Sequence, residues 1–304
     1  MKIGLALGSG SARGWSHIGV IRALAEKGIE PDIVCGASIG ALVGASYVLD
    51  NLEKLERWVR SLSKLDIARF LDINASLNGF VNTEKLHKFL NEYVADDDAL
   101  IESANKQFAA VATDLETGRE IWITRGSVLE AVWSSISLPG LFPAIRNDDK
   151  WIVDGGLVNP VPVSVCRALG ADIVIAVNLN GDIVGKHFRQ PKRVTKKDTG
   201  EEQGIMEKLT DFVAEYTTSL FTDNKPEDQP PNLLEAIAGT INITQDRITR
   251  SRMAGDPPEI LLSPKLSQIG LLEFYRASEA IEEGIKSVQR VQSELENLFE
   301  ASHK

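Results

Sequence analysis

The stretch Val34-Cys35-Gly36-Ala37-Ser38-Ile39-Gly40-Ala41 constrains this chain more than any other. Pro31-Asp32-Ile33-Val34 is a short apolar run leading to Gly36, and Ala41 to Leu49 is small and apolar enough to form a buried helix. A serine between two glycines, where a strand turns into a helix, is the arrangement of a nucleophile elbow. Only small residues tolerate the backbone crowding on either side, and the hydroxyl is pushed clear of the sheet. The helix that follows aims its positive end at any negative charge that develops there. A lone Gly-x-Ser-x-Gly also arises by chance, so it needs partners elsewhere in the chain.

One partner precedes it. Lys2 to Leu7 reads as a strand, Gly8-Ser9-Gly10-Ser11-Ala12-Arg13-Gly14 as a glycine loop, and Trp15 to Lys27 as a helix through Ile18, Ile21 and Leu24. Strand, glycine loop and helix together make an anion-cradling unit. A dinucleotide fingerprint would need its last glycine one place earlier and an acidic residue closing the second strand. Here the second strand runs into Ser38. An oxyanion hole, whose N–H donors face the alkoxide of an acyl-transfer intermediate, suits the elbow better. A plain tight turn stands as the third reading of so short a motif.

Composition narrows the partners. The net charge of -10 argues against nucleic acid, and against anchoring to anionic lipid by bulk charge. Cys35 and Cys166 both lie in apolar runs and read as buried free thiols in a reducing compartment. The chain opens directly into a strand without a secretory leader, and no apolar run reaches spanning length. The expectation is a cytoplasmic protein whose only membrane contact is peripheral, at the inner face; a homo-oligomer is left open.

The remaining segments alternate. Leu52–Phe70 and Thr83–Val94 have helical spacing, and Phe108–Thr113 is a buried strand with Glu120–Thr124 as its hairpin partner. Val128–Ser135 is a short helix, after which Leu138, Leu141 and Phe142 supply apolar surface for the core or an acyl pocket. Trp151–Asp154 is a strand ending in Gly155-Gly156, and Ala171–Asn178 is a continuous apolar strand of the parallel-sheet kind. Residues 181–231 turn polar and read as a mobile excursion or lid, with a helix over Ile205–Phe221. Helical spacing returns through Leu233, Ile237, Ile241 and Ile248, then a strand at Ile260–Leu262 and one last helix striped from Phe274 to Leu298. The pattern predicts an α/β fold, a mostly parallel sheet with helices on both faces. Its parts would be a core over 1–180, the excursion over 181–231, and a helical segment over 232–304 packed on the core.

A nucleophilic serine needs a base. Of the four histidines, His17, His87, His187 and His303, the hydrolase chain order of serine, acid and histidine would use His187 or His303, but the first sits in the polar excursion and the second one residue from the C-terminus. His17, on the helix after the glycine loop, reads best as a structural histidine. A carboxylate acting directly is then the better reading, and Asp154 is the best placed, at a strand end with glycines allowing close approach.

Taken in order, Gly8 to Val20, Gly36-Ala37-Ser38-Ile39-Gly40 and Asp154-Gly155-Gly156 resemble the patatin-like phospholipases, most of all their bacterial neuropathy-target-esterase-like branch. The resemblance extends to Arg250–Pro258 and is weakest over 181–231. It implies a three-layer sandwich and a serine acyl hydrolase acting on lipid or fatty-acyl esters, without metal or cofactor. It assigns Ser38 and Asp154 as a catalytic dyad and Ser9, Gly10, Ser11 and Arg13 to the oxyanion loop. Gly36 and Gly40 become the elbow glycines, Gly155 and Gly156 those of the acid turn. Ser9 and Ser11 stand where the family has glycines, so the hole survives on the condition that neither position needs positive φ. The alternative is a catalytically weak patatin fold serving as a regulatory or lipid-binding module.

Overall fold

The computed structural model describes residues 1–70, 83–147, 149–183 and 233–301. In chain order these form β1 (Ile3–Leu7), a 3₁₀ turn (Ser11–Trp15), α1 (Ser16–Glu26), β2 (Ile33–Ala37), α2 (Ile39–Val48), α3 (Leu52–Ser61), α4 (Lys64–Phe70) and α5 (Thr83–Tyr93). There follow β3 (Gln107–Asp114), β4 (Glu120–Ile123), α6 (Val128–Ile136), β5 (Ile145–Asn147), β6 (Lys150–Asp154), α7 (Val163–Ala168) and β7 (Ile173–Val177). The last elements are α8 (Leu233–Gly255), β8 (Ile260–Leu262), α9 (Ala277–Arg290) and α10 (Gln292–Ala301). The expected excursion and its helix over Ile205–Phe221 lie, from residue 184 on, outside the described residues.

One eight-stranded sheet organises the fold, with its strands linked β5-β6-β3-β2-β1-β7-β8 and β4 joined to β3. β1, β2, β3, β7 and β8 pair in parallel, whereas β4, β5 and β6 are antiparallel additions. The strands β1, β2 and β7 are apolar throughout because both faces are covered. Leu5, Leu7, Val34, Phe108, Ala110, Ile175 and Val177 join the larger core under α1, α2, α3, α5, α6 and α9. The alternate residues Ala6, Cys35, Ala37, Ala109, Val111, Val174 and Ala176 join a second core under α7, where Met253 of α8 also packs. The expected helix–sheet–helix sandwich is the observed one.

A detail of strand pairing places the site. β2 pairs with Gln107–Val111 of β3, and β6 pairs with Ala112–Asp114. β4 overlaps both stretches by pairing with Ala110–Thr113, so it holds the opposite edge, and β2 and β6 share one edge end to end. β2 runs parallel to β3 and β6 antiparallel. Their C-terminal ends therefore meet, Ala37 opposite Val111 and Asp154 opposite Ala112.

Elsewhere the structure redraws two expected helices. Leu52–Phe70 is two helices: Leu62 turns extended at ψ 129°, and Ser63 opens α4 with a reciprocal cap to Asp66, its N–H and hydroxyl both on the carboxylate. The last helix likewise divides at Val291, where φ falls to -109°. The strand β5 and the short helix α7 carry too few residues for a periodic signal. α1 and α9 cross with their backbones in contact, because a Cβ on Gly19 would strike Ile281 O and one on Gly284 would strike Ser16 O.

Candidate active site

Ser38 is the single residue between β2 and α2, and its backbone sits at φ 56°, ψ -124°, a conformation that L side chains rarely adopt. The glycines on either side are required by contact. A Cβ on Gly36 would collide with the Gly40 carbonyl and the Ala41 nitrogen, and one on Gly40 with Leu7 O. The Ser38 N–H donates to Ser135 Oγ at 2.8 Å, and Ser135 Oγ donates on to Val111 O at 2.6 Å. The elbow is thereby tied through α6 to the same β3 residue that Ala37 faces.

Across the meeting point, Ser38 Oγ donates to Asp154 Oδ2 at 2.5 Å. Asp154 is 1% exposed, and its other oxygen, Oδ1, accepts the Gly156 N–H at 2.7 Å. Its backbone is held by Thr113 Oγ1, which donates to Asp154 O at 2.7 Å, and by Ser137 O, which accepts its N–H at 3.0 Å. Gly155 has no room for a side chain, since a Cβ would press into Val111 O. Burial raises the Asp154 carboxyl to a pKa of about 7, and the two hydrogen bonds it accepts only partly oppose that rise.

The glycine loop borders the same space, and its residues divide. The Ser9 N–H donates to Pro160 O at 2.8 Å and the Arg13 N–H to Gly10 O at 3.3 Å. Among the described residues the N–H groups of Gly10 and Ser11 have no protein acceptor. Ser11 adopts φ 52°, so one of the two serines does occupy a position of glycine-like backbone. The loop accommodates it, and the condition placed on the hole at the sequence level is not met in its strict form. The Arg13 guanidinium is 1% exposed and turned inward, its Nε donating to Gly10 O at 3.2 Å. It supports the loop from behind.

The other candidate base is elsewhere engaged. His17 is fully buried, with Nε2 donating to Gly8 O at 2.8 Å and Nδ1 without a partner. Burial lowers its pKa to about 4, so it is a neutral structural imidazole. Cys35 and Cys166 are buried free thiols, as expected.

An apolar cavity opens beside this constellation. Ser38, Asp154, Ser9, Gly10, Ser11 and Gln245 supply its polar wall, and the rest includes Leu42, Trp58, Phe89, Leu138, Phe142 and Phe274. The segment 138–142, read as core or acyl pocket, joins a core cluster and also lines this cavity. Residues that the sequence did not single out are Ser135, Thr113, Asn180, Asn242 and Gln245. Gln245 carried a signal: it sits between Ile241 and Ile248 at helical spacing, a polar residue on an apolar stripe.

Comparison with known proteins follows the same line. Residues 5–167 match the family described as patatin-like phospholipase. An uncharacterized NTE family protein of Mycobacterium tuberculosis is 31% identical over 322 aligned residues, covering 93% of this chain and 89% of that protein. Lysophospholipase NTE1 of Pyricularia oryzae is 29% identical and covers 94% of this chain, but this chain covers only 18% of that much longer protein. The crystal structure of VipD from Legionella pneumophila aligns over 96% of this chain and 67% of its own, with 14% identity and a TM-score of 0.47. The chain belongs to the patatin-like phospholipase family, in its NTE branch, and with it to the lipid ester hydrolases. Among the described residues no helix is long and apolar enough to cross a membrane.

Proposed function

We propose that this chain hydrolyses carboxylic esters of single lipid acyl chains through a Ser38–Asp154 dyad and an acyl-enzyme intermediate. The observation that carries the reading is the 2.5 Å hydrogen bond from Ser38 Oγ to the buried Asp154 carboxylate, facing an apolar cavity. Asp154 takes the Ser38 proton as Oγ attacks the ester carbonyl. A carboxylate near its ordinary pKa is a weak base, and burial brings this one close to neutral pH, where general bases work best. The Gly10 and Ser11 N–H groups receive the oxyanion, assisted by the N-terminal end of α2. Collapse expels the alcohol, which leaves with the proton from Asp154. Water, deprotonated by Asp154, then releases the fatty acid and restores Ser38.

Fluorophosphonate labelling of the purified protein, mapped by peptide mass, tests the reading. Modification at Ser38 that disappears in Asp154→Asn is the expected result. A wild-type protein that fails to label points to the non-catalytic lipid-binding alternative. Labelling that survives Asp154→Asn removes the aspartate from the mechanism.

A further inference from the structure

The two N–H groups assigned to the oxyanion belong to peptide units whose carbonyls are held from the opposite side. A peptide unit is planar and trans, so fixing its C=O fixes its N–H in the reverse direction. The unit that carries the Ser11 N–H has the Gly10 carbonyl, which accepts Arg13 Nε at 3.2 Å. Arg13 is in turn fixed from α8, because its Nη2 donates to Asn242 Oδ1 at 2.7 Å. The unit that carries the Gly10 N–H has the Ser9 carbonyl, which accepts Asn180 Nδ2 at 3.5 Å. Asn180 Nδ2 also donates to Gln245 Oε1 at 2.9 Å, and Gln245 Nε2 donates to Ser9 Oγ at 3.0 Å. Two residues three places apart on α8 thus brace both peptide units, each through one intermediary.

The bracing has work to do. Ser11 at φ 52° is a strained conformation for a residue with a side chain, and such conformations persist only where the surroundings over-determine them. Asn242 and Gln245 come from a helix more than two hundred residues away in the chain. α8 is itself anchored to the acid turn: Arg252 Nε donates to Val158 O at 3.0 Å. The packing also explains Gly156, because a Cβ there would lie 2.5 Å from Ser9 Oγ and 2.6 Å from Gln245 Nε2.

We propose that Asn242 and Gln245 are positioning residues for the reaction, and that α8 is the brace that aims the oxyanion donors. This rests on the reading of Ser38, Asp154 and the loop given above. With a p-nitrophenyl octanoate substrate, Asn242→Leu and Gln245→Leu are expected to lower kcat tenfold or more with KM changed less than twofold. Asn242→Asp keeps an acceptor for Arg13 and is expected to recover most of the rate. Hydrogen exchange of the segment 8–15 in the unliganded protein is expected to quicken at least tenfold in the two leucine variants. A wild type that labels at Ser38, with leucine variants of unchanged kcat, overturns the brace and leaves the dyad standing. A wild type that does not label overturns the dyad. The exchange measurement still decides the brace, since unchanged exchange in both variants refutes it whatever the protein turns over.

Discussion

At the scale of single residues, Ser38 and Asp154 are each held at a cost. Ser38→Ala and Ser38→Gly remove the same hydroxyl and are both expected to abolish turnover, but only glycine relaxes a backbone at φ 56°. Urea denaturation should find Ser38→Gly the more stable of the two by about 1 kcal/mol, the cost of a left-handed non-glycine residue. In the proposed reaction Asp154 must be ionised to take a proton, and its pKa is raised to about 7, so kcat/KM should rise with pH and level off above about 7. The same shift bears on stability. A pKa raised from 3.8 on folding means that the folded chain binds the proton more tightly, so the benefit is complete below about pH 4 and is lost as pH climbs to about 7. Asp154→Asn carries no such titration. Thermal melts should show it gaining on the wild type between pH 4 and pH 8, while its activity is lost.

At the scale of elements, the two tight approaches of backbone differ in purpose. Gly36, Gly40 and Gly155 serve the elbow and the acid turn, whereas Gly19 and Gly284 let α1 and α9 touch. Gly284→Ala should therefore lower the urea midpoint by the equivalent of 2 kcal/mol or more, a backbone-overpacking cost, with no change in activity per fluorophosphonate-reactive molecule. The strands β1, β2 and β7 were legible in the sequence because burial on both faces leaves only apolar residues in them, as in Ile173–Val177. The elbow was legible because its glycines are demanded by local crowding. Ser63 and Asp66 formed a readable cap that divides α3 from α4, yet the apolar spacing of Leu55, Val59 and Ile67 runs on through it. Asn242 and Gln245 could not be assigned from the sequence, because their meaning lies in contacts with Arg13 and Ser9 at the far end of the chain.

At the scale of the whole molecule, the cavity is the joint product of segments that sequence places far apart. Leu42 comes from α2 just after Ser38, Trp58 and Phe89 from α3 and α5, Leu138 and Phe142 from the stretch after α6, and Phe274 from the approach to α9. Trp58 also packs on Phe89 and Tyr93, with ring centroids 4.4 and 5.1 Å apart, which ties part of that wall to a rigid aromatic group. In the proposed reaction, acyl-chain contact there would be binding energy gained away from the scissile bond. Phe142→Ala should lower kcat/KM for a dodecanoyl ester roughly fivefold or more, about 1 kcal/mol of lost apolar contact, and leave an acetyl ester within twofold. Equal losses on both esters would place Phe142 outside the acyl path. The arrangement of β2 and β6 along β3 has a further consequence. The two strands do not pair with each other, so the distance between Ser38 and Asp154 is gauged by a third strand, at the single peptide link from Val111 to Ala112. One residue inserted at that link would spread the two ends by about 3.3 Å, more than the length of the bond they share. Such an insertion would leave all three sequence motifs intact and disable the chain, because the spacing of the pair is written in a strand that bears none of them.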